Sequence, residues 1–323
     1  MGRAEFRPVA GLGNPHVQTI LASIGKAPAV AVESSRVVPI EEGVSVRVDF
    51  NAPEGPARGT LLLVHGLAGS SESAYIRWSA WQALQRGWHV VRMNLRGCGG
   101  TTSLTNKHHN AFQSDDVGIV LRALHEDAGL PRPFAVLGFS LGANLSLRWA
   151  GLAGESAMPD ALVAVNPPVD LDLCCTAIDA PANFIYRYYF VTRLFKLMRA
   201  APHIALPAPP PSLRRIRKLR TFDDLYTAPH AGFPGAREYY EAASSGRYLP
   251  GLRIPTLVVS AKDDPFVPVE MFAPFWKGSI SALRLEHPER GGHVGYRQRG
   301  PRVFWAAERA LDFFEESLPA ATP

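Results

Sequence analysis

The sequence predicts an α/β protein built on a mostly parallel, doubly wound sheet. Two observations predict this class: short, continuously apolar runs recur along the chain, and amphipathic helical stretches separate them. A third observation, a segment of strict alternation near the start, adds an antiparallel hairpin. With 323 residues, the chain is long enough to bury one large core.

The hairpin is predicted over residues 36–50. Val44, Val46 and Val48 alternate with polar residues, which is the period of a strand with one buried face. Gly43 lies at the turn before them.

Six apolar runs are predicted to be strands buried on both faces. Parallel strands covered by helices on each side have this composition. The runs are Thr60–Val64, Trp88–Met93, Phe134–Leu137, Ala161–Val165, Thr256–Ser260 and Ala282–Glu286.

Helices are predicted between and after these strands. In Asp115–Glu126, the apolar residues Val117, Val120 and Leu124 share one face behind an acidic first turn. A closing helix is predicted from Pro301, since proline is favoured in the first turn of a helix.

One connection is too long for a simple crossover. About ninety residues separate Val165 from Thr256, whereas a strand–helix–strand unit needs about thirty. We therefore predict a core of residues 1–170 and 251–323 and a cap of residues 171–250 over the mouth of the sheet.

The predicted cap has an aromatic stretch, Phe184–Phe190, which suits either an acyl pocket or a core. A Pro209–Pro211 segment and a basic run from Arg214 to Arg220 follow it. The basic run could contact phospholipid headgroups at a membrane surface. A helix with Leu213, Ile216 and Leu219 on one apolar face is the favoured interpretation.

Composition excludes several classes of protein. The hydrophobic fraction of 46% and the charged fraction of 20% are ordinary for a globular protein, which excludes disordered, collagenous and coiled-coil chains. The net charge of +5 is spread over the whole chain, so it indicates an anionic partner only weakly, and we predict no nucleic acid partner.

The cysteines and the apolar runs predict the compartment. Cys98, Cys174 and Cys175 are too few and too unevenly spaced for a disulfide framework or a metal site, which favours a reducing compartment. No run approaches the ~18 apolar residues of a membrane helix. We expect a cytoplasmic protein without a transmembrane segment.

A candidate nucleophile lies between a predicted strand and a predicted helix. Gly138 and Gly142 flank Ser140 in the pattern G-x-S-x-G. In such an elbow the serine occupies a strained turn with no room for side chains two positions away. Ser140 is the predicted nucleophile.

Serine needs a base, and the base needs a carboxylate to orient it. His293 lies in the glycine-rich loop Gly291–Gly295 after the last predicted strand, and it is the predicted base. Asp263 and Asp264 follow the strand before it, so either is available as the acid. We prefer Asp264 because its spacing to the Val267–Pro268 pair resembles the strand-end pattern of a known superfamily, whereas Asp263 would be a solvated or supporting neighbour.

An oxyanion hole would combine the backbone amide after the nucleophile with one from the loop after an early strand. These positions are Leu141 and Leu67. His65, just before the loop glycine Gly66, is expected to shape this loop by hydrogen bonding rather than to act as a second base.

Six motifs spread along the chain resemble one family. The chain is similar to the YheT-like branch of the α/β-hydrolases, which are related to abhydrolase-domain esterases and lipases. The motifs are Asn14–Thr19, His65–Leu67, Asn94–Gly99, Gly138–Gly142, Ala261–Phe266 and Gly291–Gly295.

The resemblance implies the α/β-hydrolase fold and hydrolysis of small-molecule carboxylic esters, of short- to medium-chain acids or of lipids. It implies Ser140, Asp264 and His293 as the triad, with no metal and no organic cofactor. Eukaryotic relatives often carry an N-terminal membrane anchor, which we do not expect here, and the segment His108–Asp115 departs from the spacing expected of the family.

Three kinds of function remain open at this point. The first is a serine esterase that works through an acyl-enzyme. The second is an acyltransferase or thioesterase with the same triad, and the third is a non-catalytic scaffold that binds a ligand. The presence of all three triad residue types in the expected order favours an enzyme.

Overall fold

The computed structural model describes residues 5–205, 216–276, 280–300 and 303–318. Several positions discussed above lie outside these ranges. They are Pro209–Pro211, Leu213, Arg214, Arg215 and Pro301.

One sheet organises the described part of the chain. Its strands are β1 (Ser34–Glu41), β2 (Val44–Asn51), β3 (Thr60–Val64), β4 (His89–Asn94), β5 (Phe134–Phe139), β6 (Ala161–Val165), β7 (Thr256–Val259) and β8 (Leu283–Glu286). The strand order is β1-β2-β4-β3-β5-β6-β7-β8; β1 pairs with β2 and β2 with β4 in antiparallel fashion, and the remaining pairs are parallel.

The predicted hairpin is confirmed and forms the β1 edge of the sheet. Gly43 adopts φ +72° between β1 and β2, a conformation that glycine tolerates best. Val44, Val46 and Val48 are buried, as their alternation predicts.

The predicted parallel strands are also confirmed, with small shifts at their ends. β5 extends two residues beyond Leu137, because Gly138 and Phe139 still pair with Ala164 and Val165 of β6. The glycine interrupts the apolar run but not the hydrogen-bonded ladder. The extension brings the strand directly up to Ser140.

Helices cover both faces of the sheet, and five of them lie in the described part of the long connection between β6 and β7. They are α1 (Pro15–Ile24), α2 (Ala74–Gln85), α3 (Asp115–His125), α4 (Leu141–Ala153), α5 (Leu171–Asp179), α6 (Phe184–Ala200), α7 (Leu219–Phe222), α8 (Ala228–His230), α9 (Ala236–Ala243) and α10 (Trp305–Ser317).

Two core layers lie on opposite faces of this sheet, because alternate residues of a strand point in opposite directions. Leu62, Val64 and Val136 pack in the first layer, together with residues of α3 and α4. Leu61 and Val163 pack in the second layer, with residues of α2 and α10. All five residues of β3 are buried, as expected for a strand covered on both sides.

The closing helix begins later than predicted. Its first residue is Trp305, whereas the sequence pattern placed the start at Pro301. Phe304 is buried and pairs with Arg297 in an antiparallel bridge, so the backbone just before the helix is extended. This bridge ties the helix start to the loop that carries His293.

The long connection contains α5 to α9 in its described residues. The aromatic stretch Phe184–Phe190 forms the first part of α6. A π-helical turn, Asp223–Thr227, joins α7 to α8.

The structure describes the basic run from Ile216 onward, and residues 216–218 there are not helical. Ile216 and Leu219 are buried, as the apolar face requires, but the helix begins at Leu219. Asp179 accepts hydrogen bonds from the backbone N–H groups of Leu219 and Arg220, which anchors the start of this helix. Within the described ranges, no helix is long and apolar enough to cross a membrane.

Candidate active site

Ser140 occupies the sharp turn between β5 and α4. Its backbone adopts φ 51° and ψ −119°, a strained conformation for a residue with a side chain. A Cβ atom on Gly142 would lie 2.4 Å from the backbone oxygen of Val64, and one on Gly138 would lie 2.7 Å from Cα of Ala143. The two glycines therefore permit the turn that holds Ser140 above the strand ends.

A continuous hydrogen-bonded relay starts at this serine. The Oγ atom of Ser140 lies 2.9 Å from Nε2 of His293, and Nδ1 of His293 lies 2.8 Å from Oδ2 of Asp264. The side chain of Asp264 is fully buried, and that of His293 is 9% exposed. The structure thus brings the three residues together, although Ser140 lies 153 positions and Asp264 lies 29 positions before His293 in the chain.

The two adjacent aspartates have different partners. Asp264 contacts the imidazole, and its Oδ1 accepts hydrogen bonds from the backbone N–H groups of Phe266 and Val267 at 3.0 and 2.9 Å. Asp263 instead accepts a hydrogen bond from the N–H of Gly292 at 2.8 Å. Burial raises the pKa of Asp263. Of the two carboxylates, Asp264 is the one placed to orient the imidazole.

Asn166 is a site residue that the sequence analysis did not identify. It adopts φ 48° directly after β6 and donates a hydrogen bond from Nδ2 to Oδ2 of Asp264 at 2.6 Å. Its Oδ1 accepts the backbone N–H of Val294 at 3.3 Å. The sequence did contain a signal for Asn166, since it is a polar residue directly after the buried strand β6. The carboxyl ends of parallel strands share one edge of the sheet, which is where a site is expected.

The Asn14–Thr19 motif forms hydrogen bonds with the loop that carries His293. Asn14 caps α1 by accepting the N–H groups of His16 and Val17. Thr19 Oγ1 accepts the backbone N–H of His293 at 2.9 Å, and Gln18 Oε1 accepts that of Arg297 at 2.9 Å. The motif therefore helps to fix the backbone around the imidazole.

The loop after β3 lies next to the nucleophile. A Cβ atom on Gly66 would lie 3.1 Å from Cβ of Ser140, so glycine allows a close approach there. The N–H of Gly66 donates to the hydroxyl of Tyr75 at 2.9 Å. Leu67, the next residue, lines the same cavity as Ser140, and Leu141 is the first residue of α4.

His65 holds this loop, as the sequence analysis expected. Its Nε2 accepts the backbone N–H of Leu95 at 3.1 Å, so Nδ1 carries the proton and donates to the carbonyl of Gly66 at 2.8 Å. The ring is fully buried. Burial lowers the pKa of His65 to about 4, which keeps the ring neutral.

A cavity of about 560 Å³ opens in front of Ser140 and His293. Part of the aromatic stretch lines it: Tyr186, Tyr189 and Phe190 border the cavity. Tyr186 also packs in the core, and its hydroxyl lies 2.9 Å from Nδ1 of His16. The stretch therefore contributes both to the core and to the wall of this cavity.

The segment His108–Asp115 contacts the long connection rather than the relay. The backbone N–H of His108 donates to Nε2 of His230 at 3.1 Å, and that of Ala111 donates to the hydroxyl of Tyr239 at 2.7 Å. Cys98 is a buried thiol close to this segment, with its Sγ 3.6 Å from Nδ1 of His109, and burial raises its pKa to about 12. Across the described ranges, no three His, Cys, Asp or Glu side chains are grouped as metal ligands.

Comparison with known proteins identifies the family. Residues 59–298 match the family described as the alpha/beta hydrolase fold. The chain is 31% identical over 301 residues to the provisionally named esterase YheT of Escherichia coli, an alignment that covers 91% of this chain and 87% of that protein. It is 28% identical over 292 residues to a monoacylglycerol lipase of Saccharomyces cerevisiae, covering 84% of this chain and 64% of the lipase.

Solved structures share the fold. The esterase Pf2001 of Pyrococcus furiosus superimposes with a TM-score of 0.59 at 16% identity, over 91% of this chain and 98% of the esterase. The family match over residues 59–298 and the 31% identity to YheT show that the chain belongs to the α/β-hydrolase family. Within that family it is a member of the YheT-like branch of esterases and lipases.

Proposed function

We propose that this protein hydrolyses carboxylic esters through an acyl-enzyme, with Ser140 as the nucleophile, His293 as the general base and Asp264 as the orienting acid. The observation that carries the proposal is the unbroken relay from Oγ of Ser140 through the imidazole to Oδ2 of Asp264. A serine hydroxyl is a weak nucleophile at neutral pH, and such a relay activates it.

In the first half of the reaction, Oγ of Ser140 attacks the ester carbonyl carbon while Nε2 of His293 takes the hydroxyl proton. The tetrahedral intermediate collapses when the imidazolium returns that proton to the leaving alcohol, which leaves an acyl group on Ser140. In the second half, water attacks the acyl carbon and His293 takes and returns the proton in the same way, releasing the acid.

The oxyanion of each tetrahedral intermediate would accept hydrogen bonds from the backbone amides of Leu67 and Leu141. The first lies in the loop beside Ser140, and the second lies at the N-terminus of α4, where the helix dipole favours negative charge. Removing one such donor typically raises the barrier by about 2.7 to 4 kcal/mol.

The acyl group would occupy the cavity in front of the serine. Its lining includes the apolar side chains of Ile20, Ile185, Phe190 and Phe266, which suits a short- to medium-chain acyl group or a lipid ester. In this proposal, residues 171–250 act as the cap over a core formed by residues 1–170 and 251–323. The proposed reaction uses no cofactor.

A lipid surface would meet the protein at the start of α6. Phe184 and Tyr188 are 58% and 74% exposed there. α6 contains Arg187, Arg193, Lys196 and Arg199 but no Asp or Glu, and this combination favours the surface of an anionic membrane. Phe184→Glu with Tyr188→Glu should reduce sedimentation with phosphatidylglycerol vesicles, whereas Leu152→Glu, on α4, should not.

Ester hydrolysis is tested with p-nitrophenyl esters of increasing chain length. Wild-type protein should turn over the series with an optimum at one length, and Ser140→Ala should abolish turnover. Ser146→Ala removes another serine of the same region, whose Oγ donates to the carbonyl of Gly142, and should retain activity. Equal rates for the wild-type protein and Ser140→Ala would contradict the proposal.

The same assay separates the alternative reactions. An added alcohol would divert product from the acid to a new ester if the protein is an acyltransferase, and an acyl thioester series would reveal a thioesterase. A fluorophosphonate probe that labels the wild-type protein but not Ser140→Ala would distinguish a reactive serine from a non-catalytic scaffold.

A further inference from the structure

The residues that line the cavity in front of Ser140 carry more positive than negative charge. Among its described lining residues, Glu72 is the single acidic residue. The guanidinium of Arg92, whose side chain is fully buried, lies 2.9 Å from the Glu72 carboxylate. Arg77 and Arg193 also line the cavity. Neither forms an ion pair with a carboxylate in the described ranges, so the cavity carries two uncompensated guanidinium groups.

Arg77 lies on α2, two residues after Tyr75, whose hydroxyl binds the loop beside the nucleophile. Its Nε atom is buried and has no hydrogen-bond partner within the described structure. A buried, unpaired charged donor is costly, because it has given up water without gaining an acceptor. Because the protein itself already buries Nε, a bound anion would pair with the part of the Arg77 guanidinium that lines the cavity.

Arg193 reaches the same cavity from α6. Its guanidinium lies 5.2 Å from the centroid of the Tyr189 ring, a cation–π contact that holds it against another lining residue. The two guanidinium groups therefore come from different elements of the fold, one from the helix between β3 and β4 and one from the predicted cap.

We propose that Arg77 and Arg193 bind an anionic group of the substrate, so that the preferred ester carries a phosphate or a carboxylate in addition to its acyl chain. The proposal rests on the esterase activity proposed above. Guanidinium groups match the geometry of both anions and can bind them with two hydrogen bonds each. The apolar lining would hold the acyl chain while the arginines hold the charged end.

Matched ester pairs test the preference. Octanoylglycerol and octanoylglycerol phosphate differ by a phosphate, and diethyl suberate and monoethyl suberate differ by a free carboxylate. For the wild-type protein we expect kcat/KM to be about 10- to 100-fold higher for the charged member of at least one pair. The pair that shows the larger ratio identifies phosphate or carboxylate as the natural anion.

Arg77→Gln and Arg193→Gln should each lower the charged-to-neutral ratio, mainly through a higher KM for the charged ester. We expect a loss of about tenfold or more for Arg77→Gln, since Arg77 is half-buried, and a smaller loss for the exposed Arg193. Arg199→Gln removes a charge from the last turn of α6, away from the cavity lining, and should leave the ratio unchanged.

The outcomes separate this inference from the proposed function. Ester turnover that depends on Ser140 but shows equal kcat/KM for charged and neutral esters would overturn the anion subsite and leave the hydrolase intact. If no ester is turned over, calorimetric binding to Ser140→Ala still decides the matter: tighter binding of the charged esters that is lost with Arg77→Gln supports the subsite, and equal binding overturns it.

Discussion

Asn166 and Asp264 are joined by a 2.6 Å hydrogen bond from Nδ2 to Oδ2, the same carboxylate oxygen that contacts His293. The amide thus orients the carboxylate at the atom where it meets the imidazole. Because Oδ1 of Asn166 also accepts the N–H of Val294, one side chain links the acid to the loop of the base.

We predict that Asn166→Ala lowers kcat by about 10- to 100-fold while KM changes little, because the hydrogen bond to a charged group that positions the relay is lost. Steady-state kinetics with a p-nitrophenyl ester measures this. Asn110→Ala provides the control, since Asn110 bonds within its own loop. Unchanged kcat in Asn166→Ala would show that the relay holds its geometry without this amide.

The choice between the two aspartates is directly testable. Asp264→Asn should reduce kcat by about 10⁴-fold, because the amide no longer stabilises the imidazolium. Asp263→Asn should cost less than about tenfold, because Asp263 bonds the backbone of Gly292 rather than the ring. The reverse order of the two losses would assign the acid to Asp263.

Gly142→Ala should destabilise the protein by about 1 to 3 kcal/mol, since its Cβ atom would be forced against the backbone oxygens of Val64 and His65. Urea unfolding measures the change. Gly129→Ala is the matched control, because its nearest neighbour is the flexible end of the Asp127 side chain at 3.2 Å. Equal stability of the two variants would mean that the elbow can shift to accept the methyl group.

The buried histidines should make the protein less stable as the pH is lowered from about 6.5 to about 4, whereas burial raises the pKa of Asp223 to about 6 and this carboxyl opposes them. Burial lowers the pKa of His65, His108 and His109 to about 4 in the folded state, whereas an unfolded histidine titrates near 6.5. Between these values the unfolded chain binds protons that the folded chain does not, so unfolding becomes more favourable as the pH falls.

Each of these histidines changes the free energy of unfolding by up to about 1.4 kcal/mol per pH unit. Urea unfolding at several pH values measures it. His109→Gln should make this pH dependence shallower than in the wild-type protein, because one of the three histidines no longer titrates. If the free energy of unfolding changes with pH equally in the wild-type protein and in His109→Gln, His109 takes up no proton on unfolding in this range.

The sequence alone determined the local and periodic features of this protein. Alternation and apolar runs predicted the hairpin and the parallel strands, because burial imposes those patterns on any strand in such a sheet. The G-x-S-x-G pattern predicted the turn at Ser140, since the steric demand of that turn is met by residues close in sequence.

Tertiary structure decided which distant groups meet. Asp263 and Asp264 are neighbours in the chain, and the sequence leaves either available as the acid. In the folded chain the His293 loop packs beside Asn166 and the end of β7, and Asp264 rather than Asp263 then contacts the imidazole. The late start of α10 follows from the Phe304–Arg297 bridge, which no local pattern encodes. Contacts between remote segments depend on how the whole sheet brings its strand ends together, and that arrangement is a property of the folded chain.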